Sequence, residues 1–145
     1  MKSQDPRTQR LCVFFEQLLR DDVARMGELY DSNAHFVDPF NDVFGLAQVQ
    51  RIFSHMFDTL DEPRFVVIDA FTEGDQATLI WDFHFKRQGQ AKPWRVHGST
   101  HVRFGADGRV SLHRDYWDAA HELYAKLPVL GGLMRWLRRQ LASPL

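Results

Sequence analysis

The sequence predicts an α+β fold in which helices cover one face of an antiparallel sheet. In roughly the first 60 residues, apolar side chains recur every three or four positions, in stretches that begin near Asp5, Asp21 and Gly45. From Arg64 onward the apolar spacing changes to two, as expected for strands with one buried face. Helices followed by a run of strands are typical of this fold class.

Start and stop signals bound the helical stretches. Asp5-Pro6 is suited to begin the first helix, Asp21-Asp22 a short second one, and Gly45 a third that Pro63 ends. The apolar residues of each stretch share one helix face. They are Leu11, Phe14, Phe15, Leu18 and Leu19 in the first helix, Val23, Met26, Leu29 and Tyr30 in the second, and Val49, Ile52, Phe53, Met56, Phe57 and Leu60 in the third.

Five strands are predicted from alternation and from turn residues. A short strand over residues 35–38 lies between the second and third helices and ends at a proline. Four longer strands follow at 64–72, 78–86, 94–104 and 110–117. Glycine-containing turns separate these four strands, so we expect an antiparallel meander.

Composition limits the class of protein and its surroundings. With 145 residues, 44% hydrophobic and 13% aromatic, the chain can bury the core of one domain, which we place at residues 1–118. A net charge of −1 gives no attraction to nucleic acid. Cys12 is the only cysteine, so no internal disulfide can form. A polar N-terminus and no apolar run of membrane length lead us to expect a cytoplasmic protein.

Residues 119–145 are predicted to be a helical extension of the same domain. Leucines repeat there at helical spacing, with Arg135, Arg138 and Arg139 on the opposite side. A helix that packs on its own domain or across a dimer explains this pattern. A basic helix on a membrane surface is the alternative, and the modest charge and a Gly-Gly break disfavour it.

Short motifs in a fixed order give a family resemblance. They are Glu28-Leu29-Tyr30, Val37-Asp38-Pro39-Phe40, Gly45 before the third helix, Val102-Arg103-Phe104 and Tyr116-Trp117. With the order of elements, they resemble the nuclear transport factor 2-like superfamily, and within it the SnoaL-like and ketosteroid-isomerase-like group. The resemblance covers residues 7–118. It implies a curved sheet that the helices wrap into a cone, with an apolar pocket at the open end.

The resemblance also implies a ligand and a partner. A small hydrophobic ligand would contact Phe14, Tyr30, Phe53, Met56, Trp81, Phe83, Val96, Gly98, Thr100 and Trp117, with the small Gly98 leaving room in the wall. No cofactor and no metal are expected, since histidines on the other strand face are more often solvated. Two copies would pair through the convex sheet face, which carries Asp82, His84, Arg95, His97, His101, Arg103 and Arg114.

Three ionisable residues are candidates for proton transfer in the pocket. Asp38 matches the carboxylate with which ketosteroid isomerases remove a proton alpha to a ketone, although Asp-Pro is also a common turn. His113 and Asp115 are two apart on one strand, so both should point into the cavity unless a bulge intervenes. Asp115 resembles the acid/base aspartate of SnoaL-type cyclases. A purely structural pairing of His113 with Asp115 is the alternative.

Two departures from the isomerase pattern change the expected activity. The positions of the two oxyanion donors fall at Phe14, which cannot donate a hydrogen bond, and at Thr100. Losing such a donor costs about 2.7–4 kcal/mol. We therefore expect isomerisation, cyclisation or dehydration of another small hydrophobic molecule by a cofactor-independent enzyme. The alternative is a non-catalytic module that binds an apolar ligand or a protein. Epoxide opening ranks last because Arg114 has the wrong strand parity.

Overall fold

A curved, six-stranded sheet is the frame of the protein in this computed structural model, which describes residues 2–122, 132–133, 135–136 and 139–140. The order of strands across the sheet is β2-β1-β6-β5-β4-β3. Together with the helices this confirms the α+β class. In chain order the elements are α1 (Pro6–Glu16), a 3-10 helix (Arg20–Glu28), β1 (Tyr30–Val37), β2 (Asp42–Phe44), α2 (Leu46–Thr59), β3 (Leu60–Glu73), β4 (Gln76–Arg87), β5 (Pro93–Phe104), β6 (Val110–Trp117) and α3 (Ala119–Glu122).

The predicted meander is confirmed, and the sheet has two features beyond it. Strands β3 to β6 pair antiparallel with their neighbours in sequence. Strand β1 lies parallel to β6, and β2 pairs antiparallel with β1 at the sheet edge. The three residues of β2 are too few for alternation to be recognised, so this strand was not predicted. The parallel pairing of β1 with β6 was not predicted either.

The segment before β1 corrects the prediction of a second α-helix. Its residues form a 3-10 helix, and Tyr30 is the first residue of β1. The buried side chains of Val23 and Met26 are three positions apart, which is the repeat of a 3-10 helix. The same spacing also fits one face of a short α-helix, so the sequence pattern did not separate the two.

Helix α1 is fixed at its start and on the sheet edge. The Asp5 carboxylate accepts a hydrogen bond from the Arg7 backbone N–H (2.9 Å), which confirms the predicted cap. The Arg7 guanidinium beside Asp5 holds the pKa of that carboxyl below its usual value. The hydroxyls of Ser3 and Thr8 lie 2.6 and 2.7 Å from that of Thr72 in β3, so the N-terminus covers part of this edge strand.

Helix α2 starts as predicted and ends earlier than predicted. Gly45 precedes it with φ of 102°, a backbone conformation that favours glycine. The helix ends at Thr59 rather than at Pro63, and Leu60 is already extended. Pro63 lies within β3, an edge strand, where a residue without N–H is tolerated.

Aromatic side chains fill most of the space between the helices and the concave face of the sheet. Phe15 of α1 packs on Phe53 and Phe65 with ring centroids 5.7 and 5.6 Å apart. On the strands, Phe83 stacks between Phe65 and Phe85 at centroid distances of 4.5 and 5.2 Å. A row of rings at van der Waals contact leaves little open volume, so the cone has a packed interior.

The C-terminal extension is described only in part. Helix α3 follows Asp118, whose carboxylate accepts a hydrogen bond from the His121 backbone N–H (2.9 Å). Most of the predicted apolar stripe over residues 119–145 lies outside the described residues. Among the helices that the structure describes, none has the length and apolarity needed to cross a membrane.

Candidate functional site

A small cavity lies inside the cone and brings several predicted site residues together. It measures about 20 Å³, which is room for about one water molecule. Three polar residues interrupt an otherwise apolar wall. The lining consists of Phe15, Phe53, Phe65, Val67, Leu79, Trp81, Thr100, His113 and Asp115.

The pairing of β5 with β6 explains why polar groups meet here. Thr100 lies opposite Asp115 in the register, and His113 is two residues before Asp115 on the same strand. The register shifts once, between Val110 and Leu112, and is regular from there to Trp117, so His113 and Asp115 share the face that lines the cavity. This confirms the predicted inward orientation of His113 and Asp115.

A chain of hydrogen bonds joins five side chains at the cavity. The Tyr30 hydroxyl lies 2.7 Å from His113 Nδ1, and His113 Nε2 lies 2.7 Å from Asp115 Oδ1. The Thr100 hydroxyl donates to the same Asp115 oxygen (2.5 Å), and Trp81 Nε1–H donates to Thr100 Oγ1 (2.8 Å). Four members are buried, whereas the Asp115 side chain is 18% exposed. Asp115 is therefore the member of this chain that solvent or a ligand can reach.

Burial sets the protonation state of Tyr30. Complete burial raises the pKa of the Tyr30 hydroxyl well above its ordinary value, and the nearby charge of Asp115 raises it further. The hydroxyl therefore stays protonated and can donate to His113. The rings of Phe36 and Phe15 lie 4.6 and 5.9 Å from the His113 ring and keep its surroundings apolar.

An open groove of about 530 Å³ at the ends of β1 and β6, which we call the mouth groove, borders the same residue. Among the described residues that line the cavity or the groove, Asp115 alone lines both. Trp117 packs edge-on against Phe40 with centroids 5.6 Å apart and forms an aromatic part of this mouth. The groove is lined by Val37, Asp38, Pro39, Arg114, Asp115, Tyr116, Trp117 and Asp118.

Asp38 lies at the mouth and is held in a turn. Strand β1 pairs with β6 so that Val37 lies opposite Arg114, which brings Asp38 alongside Asp115. Asp38 Oδ1 accepts hydrogen bonds from the backbone N–H groups of Phe40 and Asn41, at 2.8 and 2.7 Å. These contacts are those of the turn that Asp-Pro favours. The role of Asp38 as a general base stays a prediction.

The structure distributes the predicted ligand-contacting residues over several surfaces. Phe53, Trp81 and Thr100 line the cavity, whereas Trp117 lines the mouth groove. Phe14 faces away from the cavity, because it lines an outer groove between α1 and the 3-10 helix. The remaining predicted residues belong to the packed core or the sheet wall and do not line the cavity: Tyr30, Met56, Phe83, Val96 and Gly98.

Three lining residues were not predicted. Phe15 follows Leu11 by four positions on α1, and this spacing was a signal that Phe15, not Phe14, faces the core. Phe65 and Val67 face inward from β3, whose register shifts between Val67 and Asp69. A bulge of this kind reverses the parity of a strand, so alternation alone did not identify the inward residues.

The space beside Gly98 is occupied by the Trp81 indole ring and is not available to a ligand. A Cβ atom at position 98 would lie 2.6 Å from Trp81 Cη2 and 2.9 Å from the Tyr116 backbone oxygen. The predicted space in the wall is therefore already filled by the indole ring. This close approach holds the Trp81 N–H within reach of Thr100.

We expect Gly98→Ala to lower the free energy of unfolding by about 1–3 kcal/mol, because an added methyl group overpacks this wall. Urea denaturation measures the change. The matched control is Gly105→Ala, where the nearest atom to a new Cβ lies 3.6 Å away at ordinary contact distance. Equal stability changes in the two variants would contradict the close packing of the indole against Gly98.

The histidines of the convex face bind neighbouring side chains. His97 Nδ1 lies 2.8 Å from Asp82 Oδ1, and His101 Nε2 lies 2.9 Å from Gln76 Oε1. Burial, with the charge of Arg103, lowers the pKa of His101. Within the described residues, no three His, Cys, Asp or Glu side chains are grouped so that they could hold a metal ion.

The curved sheet with its covering helices has the nuclear transport factor 2-like cone fold. A family model for the SnoaL-like domain matches residues 13–113, which is more than half of the chain. The chain belongs to the SnoaL-like family. A search of curated proteins finds no match.

Solved structures with the same fold share little sequence with this chain. A protein of ketosteroid isomerase-like fold from Catenulispora acidiphila, in complex with trimethylamine, gives a TM-score of 0.73 at 15% identity and covers 87% of this chain and 96% of its own. A protein from Shewanella putrefaciens proposed to be a SnoaL-like polyketide cyclase gives 0.66 at 19% identity, covering 83% and 98%. One of the same description from Jannaschia gives 0.67 at 17% identity, covering 99% and 100%.

Proposed function

We propose that the protein is a cofactor-independent enzyme that moves a proton on a small hydrophobic molecule, in an isomerisation, cyclisation or dehydration. The observation that carries the proposal is the position of Asp115, the described residue that lines both the apolar cavity and the open groove. Its inner side is fixed by two hydrogen-bond donors, and its outer side can meet a ligand. Solved neighbours described as a proposed polyketide cyclase and as a proposed isomerase support this class of reaction.

Asp115 is the proposed acid/base group. An ionised carboxylate in hydrogen-bond reach of an acidic C–H takes up that proton, and the resulting carboxylic acid returns it to another position of the same molecule. Thr100 and His113 hold the carboxylate in place. Asp38 is proposed as the second carboxylate at the mouth, where it orients the substrate or assists as a base.

The shape of the site limits the substrate. The cavity holds about one water molecule, so the reacting end of the substrate meets Asp115 from the groove and its body rests on Trp117 and Phe40. Phe14 faces an outer groove, and Thr100 gives its one proton to Asp115, so neither predicted oxyanion position offers a free hydroxyl to an enolate. Substrates that delocalise the negative charge themselves, such as 1,3-dicarbonyl compounds, need that donor least.

The test is hydrogen–deuterium exchange at carbon. A panel of cyclic ketones and aromatic 1,3-diketones is incubated with the protein in D₂O, and NMR records loss of the alpha-hydrogen signals. We expect exchange above the buffer rate with wild-type protein and its loss in Asp115→Asn. Trimethylamine is included as a binding probe, because Asp38, Asp115 and Asp118 line the groove and the neighbour from Catenulispora acidiphila contains it. Exchange that is equal in both proteins would refute the proposed role of Asp115.

A second candidate function is binding without catalysis. It is favoured by the small size of the cavity and by the mutual satisfaction of its polar groups, since no described buried side-chain atom lacks a hydrogen-bond partner. A ligand that moves the NMR signals of Trp117 and Asp115 but shows no exchange at any carbon would establish this alternative. The same panel and the same spectra therefore decide between the two.

We propose that two copies pair through the convex sheet face. Phe71 and Tyr116 lie on this face and are 54% and 52% exposed, which are large exposed fractions for aromatic side chains. We expect sedimentation velocity to show a dimer at micromolar concentration and Tyr116→Glu to shift it towards monomer. Phe44→Glu is the control, since Phe44 is 67% exposed but lies on edge strand β2. A wild-type monomer would contradict the proposal.

A further inference from the structure

We infer that His113 is a positioning residue, which Tyr30 holds in the neutral form that donates from Nε2, and that Asp115 Oδ2 is the atom that exchanges the proton. This inference rests on the proposed function and assigns roles within its site. It changes the expectation that His113 is an acid/base partner of the carboxylates. The direction of each hydrogen bond in the buried chain of side chains determines these roles.

The hydrogen bonds at the Trp81 end of this series of side chains can run in only one direction. The indole N–H of Trp81 can only donate, so the Thr100 oxygen accepts from it. The Thr100 hydroxyl then has one proton to give, and it donates this proton to Asp115 Oδ1 at 2.5 Å. Because Trp81 is wedged against Gly98, the indole cannot withdraw without opening the sheet wall.

At the Tyr30 end, one placement of the protons gives every donor an acceptor. If His113 carries its proton on Nε2, it donates to Asp115, and the Tyr30 hydroxyl donates to Nδ1. If His113 carries its proton on Nδ1, an Nε2 lone pair faces an Asp115 oxygen that already accepts from Thr100. If both nitrogens are protonated, the buried Tyr30 proton loses the acceptor it has in the structure.

These hydrogen bonds leave the two Asp115 oxygens in different situations. Oδ1 accepts from Thr100 and His113 at once. Oδ2 has no hydrogen-bond partner among the described residues, while the side chain is partly open to the groove. His113 has no uncovered lone pair, because its Nδ1 faces the Tyr30 hydroxyl. Asp115 Oδ2 is thus the acceptor that remains for a substrate proton.

Two substitutions at His113 separate positioning from catalysis. In His113→Gln the side-chain amide N–H replaces the donor to Asp115 and its carbonyl replaces the acceptor for Tyr30, but an amide cannot take up a proton. We expect His113→Gln to lose less than about tenfold in exchange rate and His113→Leu about 10- to 100-fold, the range for losing one hydrogen bond to a charged group. A folded His113→Gln protein as inactive as Asp115→Asn would overturn the inference.

NMR of the ligand-free protein tests the inference without any substrate. Long-range ¹H–¹⁵N spectra should show the His113 proton on Nε2, and the opposite pattern for His97, which meets Asp82 through Nδ1. In Tyr30→Phe we expect signals of the second tautomer or of the imidazolium at His113, with His97 unchanged. A wild-type proton on Nδ1 would overturn the inference even where exchange is observed. The expected spectra with no exchange on any compound would refute the proposed function and leave the hydrogen-bond directions established.

Discussion

Asp115→Asn is expected to slow the proposed proton transfer by about 10²- to 10⁴-fold, the usual contribution of a positioned general base. The amide that replaces the carboxylate has nearly the same shape and cannot accept the substrate proton. If its NH₂ group takes the place of Oδ1, it faces the Thr100 and His113 donors, which need an acceptor there. The measurement is the first-order rate of alpha-hydrogen exchange in D₂O at saturating ligand. Circular dichroism and urea denaturation show whether the variant is folded.

Asp38→Asn is the matched control for that experiment. Asp38 is the neighbouring carboxylate at the mouth, and its Oδ1 accepts from the turn amides of Phe40 and Asn41. An asparagine oxygen can accept the same bonds, so the turn should persist. We expect a loss of less than about tenfold, far below the general-base contribution. A loss at Asp38 that equals or exceeds the loss at Asp115 would make Asp38 the base, as the resemblance to ketosteroid isomerases predicts.

The parts of the fold that depend on local pattern could be predicted from the sequence. Strand β6 was predicted over the residues that it occupies, and its period of two from His113 to Trp117, where the register with β5 is regular, placed His113 and Asp115 on the concave face. Helix α1 was recognisable from Asp5-Pro6, whose capping chemistry needs no partner from elsewhere in the chain. Such features are determined within a few residues, where side-chain period and capping preferences act directly.

Features that depend on distant contacts could not be predicted in the same way. The hydrogen bond between Tyr30 and His113 joins residues 83 positions apart. This hydrogen bond was not predicted, because Tyr30 was assigned to a helix. In the structure Tyr30 is oriented by the pairing of β1 with β6. The volume of the cavity depends on how Trp81 fills the space above Gly98, and alternation shows only that both residues face inward. The sequence therefore indicated a carboxylate at the candidate site but not the small size of the space beside it.

Ionisation of Tyr30 is expected to lower the stability of the protein at alkaline pH. Burial and the Asp115 charge raise the pKa of Tyr30, so the folded protein keeps a proton that the unfolded chain loses above pH ~10. The stability that Tyr30 contributes is therefore complete below pH ~10 and is lost as the pH rises towards the pKa in the folded state. Within that range the free energy of unfolding should fall by about 1.4 kcal/mol for each pH unit because of this one group.

Comparison with Tyr30→Phe isolates this contribution from that of other groups that titrate at high pH. At neutral pH the variant should be less stable by about 1–3 kcal/mol, because the buried His113 nitrogen loses its donor. As the pH rises above ~10 the wild type should lose this advantage, since phenylalanine has no proton to lose. Urea denaturation at a series of pH values measures both curves, and Tyr116→Phe controls for removal of an exposed hydroxyl. Parallel curves for wild type and Tyr30→Phe would mean that Tyr30 ionises as readily in the folded protein as in the unfolded chain.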